Sequence, residues 1–106
     1  MSWPTVNKYR NIRVEMDGIK FQSKREAKRY GELKMLQKAG LITNLTLQKK
    51  FDLIVQDVKI GAYISDFSYL ENGHPVVEDA KGLKLPVYNL KKRLMKAIYN
   101  IEIKEV

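Results

Sequence analysis

The run ISDFSYLENGHPVVEDAKG, from Ile64 to Gly82, limits the fold more than any other stretch of the chain. Asn72-Gly73 at its centre supplies a tight turn, because both residue types tolerate positive φ. The flanking segments, residues 60–70 and 75–81, are rich in apolar, aromatic and β-branched side chains and read as strands. Joined by so short a turn, they pair antiparallel. Asp66 lies seven residues before Gly73 and Asp79 six after it. The two acids therefore fall close to opposite one another, within a residue or two of register.

Alternate side chains of a strand share a face. Asp79 and Lys81 project with Val77, and Glu78 and Ala80 project to the other side. Two carboxylates side by side repel each other, and a bound cation is the usual reason to tolerate them. Asp66 and Asp79 offer hard oxygen ligands suited to Mg²⁺, with Mn²⁺ as a substitute. Lys81, on the same face, is suited to orienting an attacking water or to stabilising charge on a phosphate. Of the adjacent acids Glu78 and Asp79, alternation favours Asp79 as the ligand.

The rest of the chain supplies elements to pack against this pair. Residues 12–15 and 19–21 flank Asp17-Gly18, a hairpin signal. Ser23-Lys24-Arg25-Glu26 has the form of a capping box and opens a helix that runs to about Ala39 and stops at Gly40. Glu26 falls on the apolar side of that helix, between Tyr30 and Leu33, where a carboxylate is costly unless paired. Its ordinary role is to close the box with Ser23, which leaves contact with a metal shell open. Residues 43–55 form one extended stretch, with Leu45, Leu47, Phe51, Leu53 and Val55 alternating. Pro86 begins a second helix, whose Val87, Leu90, Leu94, Ala97 and Ile98 form the apolar stripe. Residues 101–106 are a short strand that returns after a helix, so a parallel neighbour is expected. Residues 1–11 read as a basic arm and 12–106 as a single domain. The order is hairpin–α–β–β–β–α–β, an α/β (α+β) fold with a mixed sheet flanked by helices.

Composition narrows the function. With no cysteine, disulfides, thiolate zinc sites and cysteine nucleophiles are excluded, which suits a reducing cytoplasm. The lone His74 rules out a histidine-rich metal site or triad within one chain and has no role assigned here. The start lacks the apolar run of a signal peptide, and no stretch has the length of a membrane span. Twenty Lys and Arg against twelve Asp and Glu give a net charge of +8 and a pI near 9.7, which points to a polyanionic partner, DNA above all. Lys84, Lys91, Lys92, Arg93 and Lys96 cluster after the acidic strand, with Tyr88 and Tyr99 among them. Lys8, Arg10 and Arg13 make a second basic group beside Tyr9. Both are candidates for phosphate contacts.

These motifs resemble the PD-(D/E)XK phosphodiesterase superfamily, the fold of restriction endonucleases and several Holliday junction resolvases. That core runs helix–strand–strand–strand–helix–strand and often opens with S-x-x-E, here Ser23 to Glu26. A glutamine commonly follows on the first core strand, here Gln48. The acidic strand is ISDF, with Ser65 where the superfamily's name has proline, and the signature strand is VVEDAKG. Over nearly all 106 residues the chain is also similar to small phage and prophage proteins of uncharacterised function. The resemblance implies a Mg²⁺-dependent DNA endonuclease acting in the host cytoplasm. Asp66, Asp79 and Glu26 would hold the metal, Lys81 would sit near the nucleophile, and Gln48 would orient Lys81 or a water. With little room for a target-reading domain, shape-selective cutting of a junction, flap or end is expected. Resolvases of this fold act as dimers, so a homodimer is a further expectation, and no organic cofactor is implied. Two other readings stay open: a DNA-binding module without turnover, and a phage protein that binds a host protein.

Overall fold

The computed structural model describes residues 14–80 and 84–106. The arm, with Lys8, Arg10 and Arg13, lies outside the described residues, as does Lys81. The fold begins with two short strands, β1 (Val14–Met16) and β2 (Ile19–Phe21), closed by Asp17 and Gly18 at φ +53° and +76°. Positive φ at both central residues matches the right-handed twist of the strands.

Helix α1 (Lys24–Lys38) starts as its sequence dictates: the Ser23 hydroxyl accepts the Glu26 N–H at 3.1 Å. It ends at Gly40, φ +80°, where Gly40 N–H reaches the Gln37 carbonyl and Leu41 N–H the Leu36 carbonyl. These paired bonds satisfy carbonyls that the helix end would otherwise leave open. Ala27, Tyr30 and Leu33 of α1 pack with Phe21, Ile42, Phe67 and Tyr69 in a first core.

The extended stretches on either side of the Gln56-Asp57 turn form a long hairpin that is bent in the middle. The outgoing arm is β3 (Thr43–Leu47) then β4 (Lys50–Val55), and the returning arm is β5 (Val58–Ile64) then β6 (Phe67–Glu71). The expectation of unbroken strands over 43–55 and 60–70 is thus corrected. The register nevertheless passes through the bend without a slip, since Leu47 faces Phe67 and, three residues on along each arm, Lys50 faces Ile64. The two arms change sides of the sheet there. Leu45, Leu47, Phe67 and Tyr69 pack on the α1 side, whereas Phe51, Leu53 and Tyr63 join Val77, Met95 and Ile103 in a second core under α2 (Pro86–Tyr99).

Strand β7 (His74–Asp79) follows Asn72-Gly73, again at positive φ, and β8 (Lys104–Glu105) closes the sheet. The sheet order is β3-β6-β7-β8, with β7 and β8 parallel as expected. Strand β8 is shorter than the expected 101–106. The stripe expected on α2 holds at Leu94 and Ile98, which pack on the second core, and fails at Ala97 and in the first turns. Val87 and Leu90 are exposed, and the helix buries Tyr88 and Met95, with the Tyr88 hydroxyl held by the half-buried Glu105 carboxylate. Among the described residues no helix is long and apolar enough to cross a membrane.

Candidate functional site

The β6–β7 ladder pairs Phe67 with Glu78, so the next step places Asp66 opposite Asp79 at the end of the hairpin. Asp79 is buried, and its Oδ2 accepts the Tyr63 hydroxyl at 2.5 Å. Half-buried Asp66 accepts the Ala80 N–H on Oδ2 at 2.8 Å. Burial, first, and then the hydrogen-bonded Asp79 carboxyl push the Asp66 carboxyl up to about 7. The Ala80 amide opposes this rise, and the charge of Glu26 adds to it. Glu26 therefore stands within electrostatic reach of the pair from the first turn of α1. Among the described residues, no three His, Cys, Asp or Glu side chains gather as a metal-binding group.

Glu78 has a different setting on the opposite face of β7. It is fully buried, and the Arg29 guanidinium clamps it, Nε to Oε1 at 2.7 Å and Nη2 to Oε2 at 2.6 Å. The Tyr69 hydroxyl donates to Oε2 as well, and Lys104 Nζ stands 4.0 Å away. The Glu78 carboxylate raises the Arg29 guanidinium above its ordinary range, while burial, then Glu78, raises the Tyr69 hydroxyl. Of the two adjacent acids it is Asp79 that faces Asp66, as alternation suggested.

The structure distributes the expected phosphate-binding residues unevenly. Glu105, beside Asp79 in the parallel register, accepts the Tyr88 hydroxyl at 2.8 Å and pairs with Lys84 at 2.9 Å and Lys92 at 3.1 Å. Lys84, then Tyr88, hold its carboxyl down to about 2. The Tyr88 ring is thus core rather than surface, and Lys92 ties α2 to β8 while Lys84 ties the segment before α2 to it. Lys96 stands 3.6 Å from Glu102. Arg93 is exposed, and Lys91 lines a groove with Ile64, Leu85 and Val87. Tyr99 donates its hydroxyl to the Asp52 carbonyl at 2.7 Å and packs edge-on against Phe51.

Gln48 sits at the hairpin bend with φ +56° and an exposed side chain, and its N–H donates to the Asp66 carbonyl at 3.2 Å. Sequence reasoning missed Tyr63, Tyr69, Arg29 and Glu105. A signal did exist for Arg29. Alternation sends Glu78 toward α1, and a buried carboxylate there needs a cation on the flank of that helix. The tyrosines carried no comparable signal, since their spacing reads simply as core.

A family model described as "Protein of unknown function (DUF1064)" matches residues 6–105. No curated protein matches the chain, and no solved structure does.

Proposed function

The chain belongs to the DUF1064 family, and for this member we propose a metal-dependent DNA endonuclease with a restriction endonuclease-like core of the PD-(D/E)XK kind. The observation that carries the reading is the Asp66–Asp79 pair. A buried and a half-buried carboxyl stand together, Asp66 is raised to about 7 by burial and by Asp79, and a divalent cation is suited to take the place of the Asp66 proton. The donors are hard oxygens, which fits Mg²⁺ or Mn²⁺. Asp66 and Asp79 would hold the ion, with Glu26 adding negative charge from α1. When bound, such an ion polarises a phosphate and lowers the pKa of a water.

The chain's own residues supply the rest. The Tyr63 hydroxyl and the Ala80 amide fix one oxygen each of Asp79 and Asp66. Lys81, two residues beyond Asp79, is assigned to the nucleophile or the phosphate on the alternation argument alone. The net charge of +8 favours a nucleic-acid partner, and Lys91 and Arg93 are the α2 cations best placed for phosphates. A branched or ended DNA, cut by a homodimer in the host cytoplasm, is what the resemblance to resolvases of this fold implies. The reading as a host-protein binder would have gained from acids exposed and far apart, and here Asp79 is buried with half-buried Asp66 beside it.

The test is cleavage of labelled four-way junction, flap, single-stranded and duplex DNA in Mg²⁺, Mn²⁺ or chelator. Asp79→Ala and Lys81→Ala run alongside. Cutting that needs the metal and falls to background in both variants is the expected result. Binding without cutting, unchanged by either substitution, would leave a DNA-binding module and overturn the reading.

A further inference from the structure

The bend of the long hairpin is built from two residue pairs. Gln48 N–H donates to the Asp66 carbonyl at 3.2 Å, and Ser65 N–H donates to the Lys49 carbonyl at 3.0 Å. The fully buried Ser65 adds its hydroxyl to the same Lys49 carbonyl at 3.3 Å. All four residues lie between strands, yet their bonds continue the ladder of β3–β6 into that of β4–β5. What changes at this point is direction. Gln48 takes φ +56°, the left-handed region that side chains with a Cβ seldom adopt.

The bend has two effects on the acid pair. It fixes the backbone of Asp66 through the Gln48 amide, with the Asp66 carboxyl on the Ala80 N–H. It also turns the outer half of the hairpin over, so that Tyr63 lies under α2 and reaches Asp79. Without the turnover, Tyr63 would stay on the α1 side with Phe67 and Tyr69, because all three occupy odd positions of one arm. Throughout, the Gln48 side chain is exposed and makes no hydrogen bond among the described residues.

We propose that Gln48 is a positioning residue that acts through its backbone: its left-handed conformation bends the hairpin and so seats both Asp66 and the Tyr63 hydroxyl that holds Asp79. This rests on the nuclease reading for its consequence in turnover, but not for its geometry. The role differs from the one the superfamily resemblance implied, in which the amide side chain orients Lys81 or a water.

Three variants separate the two roles. Gln48→Gly removes the side chain and relaxes the left-handed backbone. Gln48→Asn shortens the side chain and still tolerates that conformation. Gln48→Val keeps bulk but resists positive φ. Mn²⁺ affinity by calorimetry and the amide exchange of Ala80 read the site without any need for cleavage, and the DNA panel reads turnover. Gly and Asn are expected to stay within about twofold of the parent in Mn²⁺ affinity, whereas Val loses on the order of tenfold, the size of a left-handed penalty. Protection of the Ala80 amide should follow the same order. If Gln48→Gly falls as far as Gln48→Val, the side chain is what matters and the proposal is overturned. If the parent cuts no DNA but the affinity and exchange order holds, the nuclease reading fails and the positioning role stands. The result for Gly, the least strained variant, does not depend on whether Val folds.

Discussion

The two faces of β7 hold neighbouring acids in opposite states. On the α1 face, Glu78 meets a guanidinium at two oxygens and a tyrosine hydroxyl. On the α2 face, Asp79 also receives a tyrosine hydroxyl, but across the ladder it meets a second acid, Asp66. The backbone ladder is the same on both sides, and each acid is buried. What differs is the charge opposite. Glu78 is compensated from within the chain, as an acid that holds a fold together must be. The Asp79 face brings a second carboxyl instead, an arrangement that a divalent cation is suited to bridge. That contrast separates an acid serving the fold from one serving a site, which the sequence Glu78-Asp79 alone does not do.

The largest effect should come from opening the compensated side. Arg29→Ala leaves buried Glu78 without its guanidinium, and breaking such a pair typically costs about 3–5 kcal/mol. Urea unfolding should report a loss of that size, with no change in the apparent affinity for Mn²⁺ of the fraction that remains folded. A loss below about 1 kcal/mol would mean that the clamp is no more than a surface pair and that the contrast between the faces is false.

The second effect is in pH. Asp66, raised from 3.8 to about 7, binds a proton more tightly in the folded chain than in the unfolded one. Its contribution to stability is therefore complete below about pH 4 and is lost as pH climbs toward 7. Glu105, lowered from 4.5 to about 2, acts with the opposite sign, contributing above pH 4.5 and fading as pH falls toward 2. In chelator, thermal melts should peak between these limbs and decline toward neutrality. Asp66→Asn should flatten the neutral limb and leave the acid limb alone. Saturating Mn²⁺ should also lift the neutral limb, since it favours the deprotonated pair. A wild-type melt that holds level in chelator from pH 4.5 to 7 would remove the case for a strained acid pair.

How much of this was legible in the sequence depends on which physical signal each part left. Turns that need positive φ announced themselves at Asp17-Gly18 and Asn72-Gly73, and Ser23 marked the start of α1. Counting outward from Gly73 brought Asp66 and Asp79 together. The bend at Gln48 stayed hidden for a definite reason. Leu45, Leu47, Phe51 and Leu53 keep one parity through it, as do Tyr63, Phe67 and Tyr69, so alternation predicted one buried face for each arm. The arms in fact change faces halfway while parity continues, because a single left-handed residue rotates the strand without adding or removing one. Periodicity detects insertions and slips but not a rotation of this kind. The basic residues misled differently. Lys84, Lys92 and Lys96 read as a cluster awaiting phosphate, yet Glu105 on the short β8 and Glu102 just before that strand already sit beside them.

The smallest effect offers the sharpest comparison, since it changes one hydroxyl on each face. Tyr69→Phe removes a donor from Glu78 but leaves both Arg29 bonds. Tyr63→Phe removes a donor from Asp79 and leaves it facing Asp66. Each substitution should cost about 1–3 kcal/mol in chelator at neutral pH, the range for leaving a buried polar group short of a hydrogen-bond partner. Adding Mn²⁺ should then separate them. On the Asp79 face the ion supplies positive charge where the hydroxyl was lost, so the cost of Tyr63→Phe shrinks. On the Glu78 face no ion enters, and the cost of Tyr69→Phe is the same with and without it. Urea melts of the two variants and the parent, with Mn²⁺ and with chelator, complete the comparison. Equal costs in both conditions for both variants would mean that neither face of β7 takes up the ion, whatever the chain does with DNA.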